Sequence, residues 1–303
     1  APGEYTAQVT GMLEIDNKSR FADTQSDCLI TWDSQNLYVA MQTPAENLIA
    51  EGKDATVCWD DVIEIFLAAG QKRDQVAHWI INSVGTLYCE KNQDDRWRAP
   101  GFRFLNHIAD GIWTFEAVIP FADLQIPPPA PGDTWGINFC RTITFPKVTY
   151  TSLGPSGGSY LAGILPLTFL ADVPPYAVLL EGNLNENRIK LSTLPESQAK
   201  LQASLSGDKL PETIDPVGKD VKDFGSSGSL DLQVLDGERV LYATTWEYAP
   251  VPKGWYFMQY LYTDIAGKKV HVGVYQPQPL VDGKATKGVL SLQTKEGKIL
   301  SKV

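Results

Sequence analysis

The chain has 303 residues, 43 % hydrophobic and 20 % charged, a balance that suits a folded protein and excludes a disordered one. That length exceeds what one core comfortably fills, so two domains are expected, and no run approaches the roughly 18 apolar residues of a spanning helix. A net charge of −10 repels nucleic acid and anionic membrane alike, which leaves neutral or cationic ligands as partners.

The start Ala1-Pro2-Gly3, without Met, suits a mature exported protein, and a secreted location, extracellular or periplasmic, is expected. Four cysteines, Cys28, Cys58, Cys89 and Cys140, lie in the first half. None has the C-x-x-C spacing of a zinc or redox site, so they read as buried thiols or structural disulfides.

In chain order, residues 29–41 form a strand, an Asp/Asn turn and a second strand, stopped near Pro44. Residues 59–67 and 78–88 read as a β-hairpin that carries one carboxylate, Glu64, among β-branched and aromatic neighbours. Residues 111–120 alternate apolar and polar side chains as a strand does, Pro120 closes it, and residues 121–124 suit one helical turn. The proline-rich stretch 127–131 is a stiff connector, and 135–143 returns to strand. A Gly/Ser/Pro loop at 154–159 leads into Tyr160 and an apolar run to Leu170, after which residues 171–175 break the pattern.

A domain boundary is expected at that break, giving domains 1–172 and 173–303. Beyond it, residues 230–235 and 240–246 flank Asp236-Gly237, the signature of a two-residue hairpin turn. Residues 255–263 pair with 269–275 across Ala266-Gly267, and 289–294 with 298–303 across Glu296-Gly297, while 211–229 read as a long loop. The expected fold is therefore all-β, an antiparallel β-sandwich followed by a second β-rich sandwich or barrel-like domain. Tyr256, Met258, Tyr260 and Tyr262 share one strand face by period two, a sheet face or interior in preference to a second ligand site.

Enzyme signatures are mostly missing. Residues 154–158 lack the spacing of a nucleophile elbow, there is no P-loop or dinucleotide fingerprint, and His78, His107 and His271 are too scattered for a recognisable metal pair. A glycosidase carboxylate pair could come from distant strands, but no pair stands out. Asp60-Asp61 are candidate calcium ligands, with a solvated strand entrance as the simpler reading. Glu64 lowers strand propensity and, if buried, needs a partner: an Arg, a backbone donor or a ligand hydroxyl. Residues 94–98 form a charged loop around Trp97 that could border a cleft. With eight Trp and twelve Tyr, rings for stacking a sugar are in good supply, although Trp32, Trp113 and Trp135 sit within strands and read as core.

The order of motifs resembles family 9 carbohydrate-binding modules: Trp32-Asp33 with Leu37-Tyr38-Val39, Asp60-Asp61-x-x-Glu64-Ile65-Phe66, Asn82 with Gly85-Thr86, Trp113-x-x-Glu116 with Ile119-Pro120-Phe121, and Trp135-x-x-Asn138. The match covers roughly residues 5–170. The resemblance implies a sandwich that holds a saccharide between two rings, with a Glu and an Arg hydrogen-bonding its hydroxyls. Glu64 matches the carboxylate, and Tyr160 falls at the second ring. The Arg position is occupied by Ile80, so the partner of Glu64 is either missing or supplied from elsewhere, with Arg98 and Arg141 as the candidates. The first ring position holds Cys58, with Trp59 one place off; Trp59 joins Glu64 only if a bulge or the strand's start intervenes, and otherwise Trp97 supplies the ring. The resemblance also sets residue 80 opposite Glu64, and a regular ladder then puts Cys58 and Cys89 on opposite faces.

The leading expectation is a non-catalytic saccharide-binding module without a cofactor, its site drawn from Glu64, Tyr160, Trp59, Trp97, Arg98, Asn82 and Arg141. The alternatives are a structural or protein-interaction sandwich, which Ile80 and Cys58 favour, a haem binder with Met41, His78 or His107 as axial ligand, and a glycoside hydrolase.

Overall fold

The computed structural model describes residues 5–15, 17–70, 74–144, 148–156, 160–210 and 213–248, without the side chains of 17–20, and the backbone of 257–264, 269–275, 291–293 and 299–302. The fold is all-β, and the helices among the described residues are short 3-10 turns. Two compact units divide the chain, Ala1–Ala249 and Pro250–Val303.

The first unit is a sandwich of two large sheets. One runs in the order Val221–Lys222, Arg188–Ser192, Tyr176–Asn183, Ala7–Val9, Asp27–Trp32, Asn36–Pro44, Ile112–Pro120, Arg103–Ala109. The other runs Asn17–Phe21, Leu13–Glu14, Thr149–Ser152, Thr134–Ile143, Val62–Ala69, Gln75–Asn82, Leu87–Lys91, with Leu165–Thr168 also paired to Thr134–Ile143. Alternation decides which side chains go inside. Ile63, Ile65, Leu67, Trp79 and Phe139 meet Val39, Met41, Phe115 and Ile119 of the facing sheet in one apolar core. Trp113 and Trp135 are buried there, and Trp32 packs at its margin.

The segment after Pro174-Pro175 does not leave this unit. Tyr176–Asn183 pairs in parallel with Ala7–Val9, so the break on which a domain boundary was expected runs inside the unit. A three-stranded sheet, Lys200–Gly207, Gly228–Asp236 and Arg239–Tyr248, adds Leu230, Leu232, Val234 and Trp246 to the same core. Its hairpin turns at Gly237-Glu238, one residue later than the expected Asp236-Gly237, because Asp236 pairs with Arg239; Gly237 at φ 61° supplies the left-handed geometry at the first loop position. The second unit contains two hairpins, Phe257–Asp264 with Lys269–Tyr275 and Ser291–Gln293 with Ile299–Lys302. A bulge between Met258 and Tyr260 breaks the period-two run expected there; those side chains lie outside the described residues.

Two local expectations change. Residues 59–61 are not strand: Asp54–Trp59 is a 3-10 turn and the strand starts at Val62. The cause is Asp60, whose buried carboxylate accepts the amides of Glu51 and Gly52 and the Asn82 side chain, pinning the chain into a corner. The other is residues 78–88, expected as one strand: Gln75–Asn82 and Leu87–Lys91 are separate antiparallel strands joined by a turn at 83–86, where Asn82 accepts the Thr86 amide. The edge strand Arg103–Ala109, with Leu105 and Ile108 exposed, carries no clean apolar face and was not anticipated.

Candidate functional site

Glu64 stands opposite Ile80 on one side and Cys140 on the other, and Ile80 stands opposite Tyr88. The row Tyr88, Ile80, Glu64, Cys140 therefore crosses four strands on the outer face of the second sheet, as the regular register requires. Cys89, one residue off this row, packs in the inner core. All four cysteines are free thiols.

The partner of Glu64 is His78. Its Nε2 lies 2.8 Å from Glu64 Oε2 and its Nδ1 lies 3.4 Å from Glu90 Oε1. The His78 ring thus bridges the two carboxylates, one through each nitrogen. Tyr88 extends the chain by donating its hydroxyl to Glu90 Oε2 at 3.0 Å. Phe66 stacks flat on the imidazole, 3.8 Å between centroids at 15°, and Tyr160 tilts against Phe66 at 5.8 Å. The pair is deeply set, Glu64 at 5 % and His78 at 9 % exposure. Among the described residues no hydrogen bond reaches Glu64 Oε1.

Tyr160 is carried by a loop that Asn138 ties down: the Asn138 amide donates to the Tyr160 carbonyl at 2.9 Å and accepts the Gly154 amide at 3.2 Å. Burial, then the charge of Glu64, pushes the Tyr160 phenol well above its ordinary range. Burial and the bond to Glu90 push Tyr88 up to about 12, and burial with Glu64's charge pushes the Cys58 thiol up. These three groups remain neutral at ordinary pH, so the face offers phenols and a thiol around the hydrogen-bonded Glu64 and His78.

Trp59 ends the 3-10 turn that Cys58 and Val57 pack against Val62 and Ile80, and its ring is 74 % exposed. Strand parity therefore does not govern it.

The other expected residues go elsewhere. Arg141 points into the core, paired with Asp61 at 3.0 Å and lying 5.1 Å over the Trp113 ring. Asn82 donates to Asp60 and accepts the Thr86 amide, holding a corner of the hairpin. Trp97 packs edge-on against Trp79 at 5.7 Å, and the exposed Arg98 bonds the carbonyls of Asp95 and Trp97. The carboxylates of Asp60 and Asp61 are engaged by protein donors, and no cluster of three His, Cys, Asp or Glu among the described residues could hold a metal. Met41 is core and His107 is exposed on the other sheet, so neither joins His78. What residue patterns had not singled out is His78 as the hydrogen-bond partner of Glu64. The signal was parity: His78 lies two before Ile80, hence on the same face, directly opposite Phe66.

No protein-family model and no curated protein matches the chain. Among solved structures it is similar to a Bacteroides uniformis protein described provisionally as carbohydrate-binding, with 16 % identity over 53 % of this chain and 85 % of that one, TM-score 0.42. It is also similar to a family 9 carbohydrate-binding module from Caldicellulosiruptor kristjanssonii, seen with glucose (16 % identity, 48 % and 77 % covered, TM-score 0.39) and with cellotriose (17 %, 50 % and 78 %, 0.39). The solved structures that this chain resembles thus include family 9 carbohydrate-binding modules.

Proposed function

We propose that the outer face around Glu64 binds a saccharide without transforming it, in an exported protein. The observation that carries this reading is a buried hydrogen bond between Glu64 and His78 backed by two rings, Phe66 and Tyr160, with an exposed tryptophan, Trp59, on the turn beside it. An isolated tryptophan at 74 % exposure leaves apolar area in water, and a pyranose face would cover it. The free oxygen of Glu64 accepts a sugar hydroxyl, and Glu90 and Tyr88 supply polar contacts nearer the rim. In this reading His78 does the positioning work of the family's Arg from one pleat along the strand, orienting Glu64. Glu64 and Glu90 are held by the same imidazole.

The test is titration with a panel of mono- and oligosaccharides, followed by tryptophan fluorescence, for wild type and for Glu64→Ala and Tyr160→Ala. Wild type is expected to respond saturably, with at least a tenfold loss in each variant and no release of reducing sugar from polysaccharides. No response from wild type, or equal responses from all three proteins, overturns the reading.

A further inference from the structure

We infer that the interior of the sandwich holds a second, separate site, for a neutral apolar molecule. Below the inner face of the second sheet, on the side away from Glu64, lies a cavity of about 380 Å³. One wall is the first sheet, through Ala7, Cys28 and Ile30; another is Phe139 with Leu165 and Leu167; the three-stranded sheet flanks it with Leu241 and Tyr242, and the pocket is partly open to solvent past the exposed Val240 and Ala243. None of the lining residues carries a formal charge.

The polar atoms in this wall are turned to the protein. Thr6 and Thr31 share a hydroxyl hydrogen bond of 2.8 Å, the Trp32 indole donates to the Leu170 carbonyl at 3.1 Å, and the Tyr176 hydroxyl donates to the Leu241 carbonyl at 3.4 Å. No buried unpaired polar atom of the described residues borders the space. Water needs two to four polar partners to stay in such a place. The titratable groups of the wall point the same way, since burial pushes the Cys28 thiol and the Tyr176 and Tyr242 phenols up and keeps them neutral.

Size sets the ligand class. An apolar cavity of about 150 Å³ takes benzene and stays dry when empty, so this one takes a molecule roughly two and a half times as large. It also falls within the range of ordinary small-molecule pockets. A neutral hydrocarbon-like molecule of two to three rings buries apolar surface against this wall, whereas a sugar would give up hydration that a mostly apolar, uncharged wall repays poorly.

The experiment uses N-phenyl-1-naphthylamine, a neutral multi-ring fluorophore, titrated into the full chain. Trp32 lines the cavity and serves as an energy-transfer donor. Expected are saturation at one equivalent and transfer from tryptophan to probe, with affinity reduced at least tenfold in Ala7→Phe, which fills the space. Leu167→Trp, on the half-buried opposite wall, makes the same test if thermal melting shows that Ala7→Phe is not folded. Saturable binding that survives in a folded filled variant, or its absence in wild type, overturns the proposal. Competition by cellotriose would also overturn it, by assigning the probe to the Glu64 face.

Discussion

Replacing Asp61 with Asn tests whether Arg141 belongs to the interior or to a ligand. Both side chains are 1 % exposed. The Asp61 carboxylate also accepts the Ile49 amide at 2.9 Å and the Thr144 hydroxyl. Burial alone would push the Arg141 guanidinium down, and Asp61 is the charge that opposes this. Without it a guanidinium is left uncompensated beside the Trp113 ring. Breaking a buried pair in this way costs about 3–5 kcal/mol, which for a unit of this size is a fall in melting temperature of roughly 6–20 °C. Urea unfolding followed by tryptophan fluorescence measures the loss. The double variant Asp61→Leu/Arg141→Met should recover most of it, because two apolar groups remove the unpaired charge. A loss in Asp61→Asn below about 1 kcal/mol, the size seen for exposed pairs, would refute the reasoning, as would a double variant no better than the single.

Trp59→Ala should leave stability within about 0.5 kcal/mol of wild type yet weaken saccharide binding at least tenfold, as titration against melting temperature would show; a large stability loss would put that ring in the core. Gly154→Ala drives a Cβ into the Gly163 carbonyl oxygen, and should cost about 1–3 kcal/mol and displace the Tyr160 loop, seen as lower affinity in the folded protein. Asp27 is raised by burial, partly offset by the Gln8 hydrogen bond. Its folded-state pKa lies above the unfolded one, so its contribution is present below the unfolded pKa and is lost as pH rises through the folded value. Asp27→Asn should therefore be more stable than wild type near neutral pH, with the advantage gone below about pH 3; equal denaturation midpoints at both would contradict this.

Much of the sandwich was legible because its strands obey period two. Asn36–Pro44, Ile112–Pro120 and Thr134–Ile143 fall where alternation, Pro and turn residues put them, Val62–Ala69 and Gln75–Asn82 pair as the expected hairpin with shifted ends, and the hairpin near Asp236-Gly237 turns one residue later, at Gly237-Glu238. Long-range closure was not legible: the parallel pairing of Tyr176–Asn183 with Ala7–Val9 joins segments far apart in sequence, and Pro174-Pro175 looked like a stop. At the site, Glu64 and Ile80 were correctly set opposite each other through the family resemblance. Arg141 was misleading because a buried ion pair and a ligand-binding arginine look alike in sequence; only its strand parity, odd against the even Cys140 and Glu64, separates them. His78 was legible by the same parity, but scattered histidines invite a metal or haem reading that overshadows a simple hydrogen bond.

The central claim is that His78 and Glu64 form the floor of a saccharide site. The chain has three histidines, so nitrogen-15 labelling of histidine gives a spectrum that reads His78 directly, with His107 on the other sheet as an internal reference. Added oligosaccharide is predicted to move the His78 ring signals saturably, leave His107 in place, and lose this effect in Glu64→Gln. Binding with His78 unmoved, or a His78 shift that persists unchanged in Glu64→Gln, would contradict it.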